Sequence, residues 1–205
     1  MRRRLWRQYA QQYVATWPRR ARELGFWRKH IGAWRAGYED AWPSAVAIVF
    51  EASVRLAELL GIGLAVAALD VLLWGGRYRA LTASECGHDR AYFSDRLLSA
   101  AVLDEGSDML AGRLRIAFVF GYVIKSSGTL SPPVRCHELA HVRQFERWGW
   151  AYVAKALVAQ WGGAPYCYSV GAVAAGRALS AEQEAAHLED RVRARHGLPM
   201  RHGRA

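Results

Sequence analysis

Apolar residues recur at helical intervals over long parts of the chain, and this spacing predicts a mainly helical protein. The clearest stripe comprises Val134, Leu139, Val142 and Phe145, which fall on one side of a helix. Pro132-Pro133 precedes the stripe, and proline lacks a backbone donor and disfavours helix in the residue before it. A helix is therefore expected to begin at about Val134.

A second amphipathic helix is predicted near the end of the sequence. Ser180 is a good N-cap residue, and Glu182 and Glu184 place negative charge in the first turn, where the helix dipole favours it. The helix is expected to run to about His196 and to stop at Gly197.

The most apolar part of the chain is 41–74. Glu51, Arg55 and Glu58 recur at helical spacing and give its first half a polar face. The uninterrupted apolar run 59–69 has eleven residues, whereas a bilayer span needs about 20. A buried core helix or a helix on a membrane surface is therefore expected, and a spanning helix is the less favoured alternative.

The middle of the chain predicts a small sheet among the helices. We expect a short strand over 77–82, a turn over 84–89 and a helix over 89–103. The segment 113–124 is rich in β-branched and aromatic residues and predicts the principal strand, with Gly121 marking a bulge or a close approach by another backbone. Together the elements predict an α+β fold, mainly helical with a small sheet.

Length and charge indicate one domain with an extension. The chain has 205 residues, 52 % apolar and 22 % charged, which is typical of a globular domain. Its net charge is +10, and residues 1–40 contain ten of the basic side chains against three acidic ones. We therefore expect a basic, aromatic-rich N-terminal extension over 1–40 and a single domain over 41–205.

Basic and aromatic side chains alternate within the N-terminal extension. This mixture suits an anionic membrane surface, and it also suits nucleic acid, which is the less favoured partner. A third interpretation is a helix pair whose aromatic faces dock on the domain while the arginines stay in water. The side chains concerned are Arg2, Arg3, Arg4, Trp6, Arg7, Tyr9, Tyr13, Trp17, Arg19, Arg20, Arg22, Phe26, Trp27, Arg28, Lys29, Trp34 and Arg35.

The sequence predicts a cytoplasmic protein, with membrane association as an option. Its basic beginning is not followed by an uninterrupted apolar run and a small-residue cleavage site, so no signal peptide is expected. Three cysteines, an odd number, are typical of free thiols in a reducing compartment.

The helix after Pro133 carries the motif His137-Glu138-Leu139-Ala140-His141. Histidines four residues apart lie on one helical face, about 6 Å apart along the axis, so both imidazoles can reach one metal ion. Glu138 is placed to accept a proton from water beside that ion. A histidine pair on an ordinary amphipathic helix is the plainer alternative.

A catalytic zinc site needs a third protein ligand. The best candidates are Glu182 and Glu184 at the start of the later helix, and Cys136 and His187 are weaker ones. Each glutamate taken alone also fits a solvated first turn that the helix dipole favours.

The HELAH motif and the distant Glu182–Ala185 stretch together resemble the gluzincin class of zinc metallopeptidases. A second helix in that class carries Glu-x-x-Ala or Glu-x-Glu-Ala. The resemblance therefore implies that Glu182 is the third ligand and that Ala185 lets the two helices approach. Ala186 departs from the pattern, because many members have a supporting aspartate there. The stretch 137–149, HELAHVRQFERWG, is also similar to small bacterial HExxH proteins.

The resemblance implies a zincin-like domain with an HExxH active-site helix, and a hydrolase that cleaves peptide bonds in a peptide or protein substrate. His137, His141 and Glu182 would bind Zn²⁺ and Glu138 would be the general base, with Glu184 as the alternative ligand. The upstream strand would form the edge of the substrate cleft. Two alternatives stay open: a catalytically inactive zincin-fold binding or structural module, and a membrane-surface or nucleic-acid adaptor acting through the basic N-terminus.

Overall fold

The computed structural model describes residues 1–23, 49, 52–54, 56–73, 77–106, 117–149, 152 and 181–201. These residues form an α+β fold in which helices surround a small mixed sheet. The elements in chain order are α1 (Arg2–Glu23), α2 (Ile62–Leu73), β1 (Tyr78–Ala80), α3 (Ala83–Asp89), α4 (Asp95–Ala100), β2 (Val102–Glu105), β3 (Phe118–Phe120), β4 (Val123–Ser126), α5 (Pro132–Trp148) and α6 (Ala181–Arg195).

The sheet has four strands in the order β1-β2-β4-β3. β2 pairs parallel with β4, with Val102 opposite Val123, while the two outer pairs are antiparallel. β2 and β4 are buried along nearly their whole length, as strands in the middle of a sheet are. The short strand expected over 77–82 is confirmed as β1.

The helix expected over 89–103 is confirmed only over Asp95–Ala100, which is α4. Ser94 caps a new helix by accepting a hydrogen bond from the Leu97 amide, and Ala101 then adopts an extended conformation. The residues from Val102 onward enter the sheet. The turn expected over 84–89 is wrong: it is helix α3, which Thr82 begins through a reciprocal capping box with Glu85.

The principal strand expected over 113–124 is a hairpin in its described part. Phe118–Phe120 and Val123–Ser126 pair antiparallel, and the chain reverses at Gly121, whose φ is +67°. A Cβ atom at Gly121 would lie 2.7 Å from the ring of Tyr9. Glycine is therefore required by both the backbone conformation and a neighbouring side chain. The part of this prediction over 113–116 lies outside the described residues.

Tyr9 attaches α1 to the hairpin. Its hydroxyl donates to the Phe120 carbonyl and accepts from the Tyr122 amide, each at 3.2 Å. Its ring packs against Tyr122 and, edge-on, against Phe145 of α5. Tyr9 and Leu5 are fully buried, so the described part of the N-terminal segment contributes to the same core as α5.

Helix α5 forms the centre of the packing. It begins at Pro132 rather than at Val134, because prolines are well tolerated in the first turn, where their missing N–H has no helical partner. Leu139 and Phe145 are completely buried beneath the sheet and α1. The later helix ends as predicted, with Arg195 as its last residue and Gly197 in a left-handed conformation beyond it.

The apolar region before the sheet bends at Gly61, whose φ is +76°. Within the described residues no single helix has the length and apolar character of a membrane span. Ala52–Leu59 and Ile62–Leu69 meet that test only when combined, across a bend of 64°. The part of the expected N-terminal extension over 24–40 lies outside the described residues.

Candidate metal centre

Helices α5 and α6 pack side by side, and the two motif histidines project from α5 toward α6. The side chains of His137 and His141 are 12 % and 6 % exposed. Their Nε2 atoms face each other at 3.1 Å. Two imidazole lone pairs at that separation repel unless a positive charge lies between them, so this spacing favours a shared cation or proton.

Glu182, in the first turn of α6, completes the group. One carboxylate oxygen lies 3.2 Å from His137 Nε2, and the other lies 3.4 Å from His141 Nε2. The three candidate ligand atoms all lie within 4.8 Å of one another. Ligands about 2.0–2.1 Å from a tetrahedral ion are about 3.3–3.4 Å apart. The observed separations therefore fit a zinc-sized ion with little rearrangement.

The far side of the His141 ring is fixed by an amide. Nδ1 of His141 lies 2.8 Å from Oε1 of Gln144, whose Nε2 donates to Glu184 at 3.0 Å. Because Glu184 accepts from the amide nitrogen, the amide oxygen must face the ring. His141 then donates from Nδ1, and its Nε2 lone pair points into the group.

A carboxylate of α6 lies beside the other ring nitrogen of His137. Nδ1 of His137 lies 3.3 Å from Oε2 of Glu189, a carboxylate that is 3 % exposed. Arg193 and Arg201 lie 3.4 and 3.9 Å from the same glutamate. A carboxylate behind a metal-ligating imidazole orients the ring and raises its basicity.

Glu189 was not among the site residues predicted from the sequence, although its spacing from Glu182 indicated it. Ala186, where the gluzincin pattern often has aspartate, is buried and has no carboxylate. Glu189 follows Glu182 by seven residues, or two helical turns, so the two carboxylates share one side of α6. The helical period was therefore sufficient to suggest it.

Glu138 is a buried acid next to the group. It is 5 % exposed, and its Oε2 has no hydrogen-bond partner within the described residues. Burial raises the pKa of Glu138, against the opposing effect of the imidazoles of His141 and His137. A carboxyl group of this kind holds and releases protons closer to neutral pH than an exposed one.

The charges around His141 act in opposite directions. Burial disfavours its charged form, but hydrogen bonding to Glu182 and the negative charge of Glu138 outweigh burial, so its pKa is raised. Tyr152 packs over the imidazole, with ring centroids 5.8 Å apart. The carboxylates of Glu182 and Glu138 thus favour a positive charge at this position.

The other predicted ligands lie elsewhere. Glu184 is held by Arg143 and Gln144 and contributes to support rather than to the central group. Cys136 faces the opposite way, 3.2 Å from Asp89, and burial raises the pKa of its thiol. His187 is exposed on α6. Of the alternatives left open by the sequence, the structure brings only Glu182 to both histidines.

Solvent can reach the group at Glu182. The Glu182 side chain is 52 % exposed, in contrast to the nearly buried histidines, so solvent reaches the site over the first turn of α6.

Comparisons of the chain with protein families, with curated proteins and with solved structures gave no significant match.

Proposed function

We propose that this protein is a zinc-dependent metallopeptidase, with a zincin-like active-site core formed by α5, α6 and β3. The observation that carries the proposal is the convergence of His137, His141 and Glu182 within 4.8 Å, next to the buried carboxyl group of Glu138.

The donor set favours zinc over other common ions. Two imidazole nitrogens and one carboxylate oxygen, with access for solvent, are typical of catalytic zinc sites, which keep one position open. Calcium and magnesium prefer shells made of oxygen. His137 and His141 would supply the nitrogen ligands, and Glu182 would supply the oxygen.

The chemistry needs a metal and a proton carrier. When bound, Zn²⁺ supplies Lewis acidity, which makes water a stronger nucleophile and polarises a substrate carbonyl. The Glu138 carboxylate accepts the proton that the attacking water loses and delivers it to the departing amine, so that the carboxylate is regenerated. Its raised pKa suits this double role, because the group must both take up and give back a proton.

The substrate would be an extended peptide. Within the described residues β3 forms one edge of the sheet, and α5 packs against it. An edge strand presents unpaired backbone donors and acceptors, which hold an extended chain by strand addition.

The test is metal analysis combined with hydrolysis of a peptide library by the purified full chain. We expect about one zinc per chain, as three protein ligands imply. Glu138→Gln should keep the zinc and lose hydrolysis, and His141→Ala should lose both. Glu146→Gln is the matched control: it changes a glutamate on the same helix that pairs with Arg96 instead, and it should keep both properties.

The possible results separate the alternatives. Zinc in the wild type with no cleavage of any library peptide would contradict the peptidase and favour a metal-holding binding module. Absence of zinc from the wild type after growth with added zinc would contradict the metal site itself. Equal hydrolysis by wild type and Glu138→Gln would exclude Glu138 as the general base.

A further inference from the structure

Helix α1 has one buried side and one side that carries exposed tryptophans. Leu5, Tyr9 and Gln12 face the core. Trp6 and Trp17 are eleven residues apart, which places them about 20° apart around the helix axis. They are 42 % and 48 % exposed. A pair of large aromatic rings therefore extends along one outer side of the helix.

Cationic side chains lie next to that aromatic side. Arg3 and Arg7 flank it together with Val14, which is 71 % exposed. Within the described residues no carboxylate lies within ion-pair distance of Arg2, Arg3 or Arg7. The first turn of α1 contains no acidic residue. Positive charge there opposes the helix dipole, so helix stability does not explain these arginines.

A second exposed apolar side belongs to the helical segment that packs against α1. Helix α1 packs against α2, and the Tyr13 hydroxyl donates to the Leu59 carbonyl between them. Ile62, Ala65 and Leu69 recur at i, i+3 and i+7 on α2, and all three are exposed. The exposed apolar side chains of these helical segments are Trp6, Val14, Trp17, Leu56, Leu60, Ile62 and Leu69.

We infer that α1 and the helical segment 56–69 dock on the surface of an anionic phospholipid bilayer. The arginines would meet lipid phosphates, the tryptophans would lie at headgroup level, and the aliphatic side chains would enter the acyl boundary. This combination is the one by which amphipathic helices lie in a membrane interface. The proposal is independent of the metal site and of peptide hydrolysis.

The aliphatic side chains favour a bilayer over nucleic acid. Arginine and tryptophan would serve either partner, through phosphate and through stacking. Exposed leucine and isoleucine give no contact to phosphate and contribute to binding only when they leave water. Leu60, 71 % exposed, is therefore the side chain that separates the two partners.

The test is co-sedimentation of the full chain with vesicles of phosphatidylcholine, with and without phosphatidylserine. We expect binding to the anionic vesicles that weakens as salt is raised. Arg3→Ser with Arg7→Ser should lower the binding constant roughly 25-fold, because each arginine near an anionic leaflet contributes about fivefold. Arg191→Ser with Arg195→Ser is the matched control, since it removes the same charge from exposed positions on α6.

A second pair of variants tests insertion. Leu60→Asp should lower vesicle binding at least tenfold, because it places a charge in the apolar contact. Met200→Asp adds the same charge at an exposed apolar side chain beyond α6 and should have little effect. All of these side chains are largely exposed, and circular dichroism should show unchanged folding.

Several results would overturn the proposal. Equal loss of vesicle binding in the α1 and α6 arginine variants would show that binding depends on net charge and not on the position of α1. Equal binding by Leu60→Asp and Met200→Asp would exclude insertion. Binding of a duplex oligonucleotide that depends on Arg3 and Arg7, without binding to vesicles, would identify nucleic acid as the partner.

Discussion

Helix α5 contributes to two polar clusters on nearly opposite sides, and they are built on different principles. One, the Arg135 cluster, consists of Arg135, Asp89, Glu85 and Cys136; Arg135 lies 2.7 Å from Asp89 and 3.7 Å from Glu85. The other, the His137 cluster, consists of His137, His141, Glu182 and Glu138. In the first cluster a permanent cation meets carboxylates. The second brings imidazoles and carboxylates together without an arginine or lysine at its centre.

This difference separates a structural polar cluster from a candidate ligand site. A buried charge is tolerated when a fixed partner compensates it, as Arg135 compensates Asp89. The His137 cluster instead concentrates lone pairs, two of them 3.1 Å apart, and acidic oxygens. Removing a member of the first cluster should therefore mainly affect folding, and removing a member of the second should mainly affect metal binding.

The largest effect on stability is expected from Asp89→Ala. It leaves the buried Arg135 guanidinium without its closest partner, which typically costs about 3–5 kcal/mol of unfolding free energy. Urea unfolding measures the loss. Asp95→Ala, which breaks the exposed pair with Arg90, is the control and should change the unfolding free energy far less. Folded Asp89→Ala that had lost its zinc would contradict the separation of the two clusters.

Zinc should stabilise the protein through the His137 cluster. At a free zinc concentration of 100 times the dissociation constant, unfolding free energy should rise by about 2.7 kcal/mol. Thermal unfolding with and without a chelator measures this. Glu182→Ala should abolish the response, whereas Asp89→Ala should retain it under conditions where it folds. A full response in Glu182→Ala would exclude this glutamate as a ligand.

The supporting groups should have a smaller effect than the ligands. Glu189→Gln and Gln144→Ala should each lower zinc affinity about 10–100-fold, because the imidazoles lose the partners that orient them. Competition with a chelating dye measures the affinity. Glu146→Gln should leave the affinity unchanged, and an equal fall in that variant would show that the effect is not specific to the site.

The smallest effect concerns pH and the Arg135 side of the protein. The hydrogen bond with Arg79 lowers the pKa of Glu85 from its usual 4.5 to about 2. The ionised carboxylate therefore stabilises the fold fully above pH 4.5, and this contribution is lost as the pH falls toward 2. Unfolding of wild type and Glu85→Gln should differ at neutral pH and converge near pH 2. A difference that stayed constant with pH would exclude this ionisation as its source.

The sequence predicted the central part of the candidate site because that part is local. The four-residue spacing of His137 and His141 needs only a helix, and the first-turn position of Glu182 needs only a cap. Their meeting requires two helices to pack, which the gluzincin resemblance implied and periodicity did not. The partners of Arg135 and Cys136 are 46 and 47 residues away in the chain, and no local pattern indicates them.

The errors in the fold have a common cause. Val102 lies in a short apolar run, 100–103, that suits a buried strand or a helix equally well, so periodicity could not exclude helix there. The capping residues Thr82 and Ser94 carried the missing information, since each begins a helix that the broader apolar spacing concealed. At Gly121 the chain reverses tightly, whereas the pattern over 113–124 predicted one strand with a bulge or a close approach at this residue.

The hydroxyl of Tyr9 has a consequence for how the chain is made. It bonds to residues 120 and 122, and the separation to the latter is 113 residues. At ribosomal rates of about 5–20 residues per second, roughly 6–23 s pass before that partner is synthesised. During this interval α1 lacks its contacts with the β3–β4 hairpin and with α5. Tyr9 is then accessible to chaperones or to any apolar surface nearby. Helix α1 is therefore synthesised early but reaches its native packing late in synthesis.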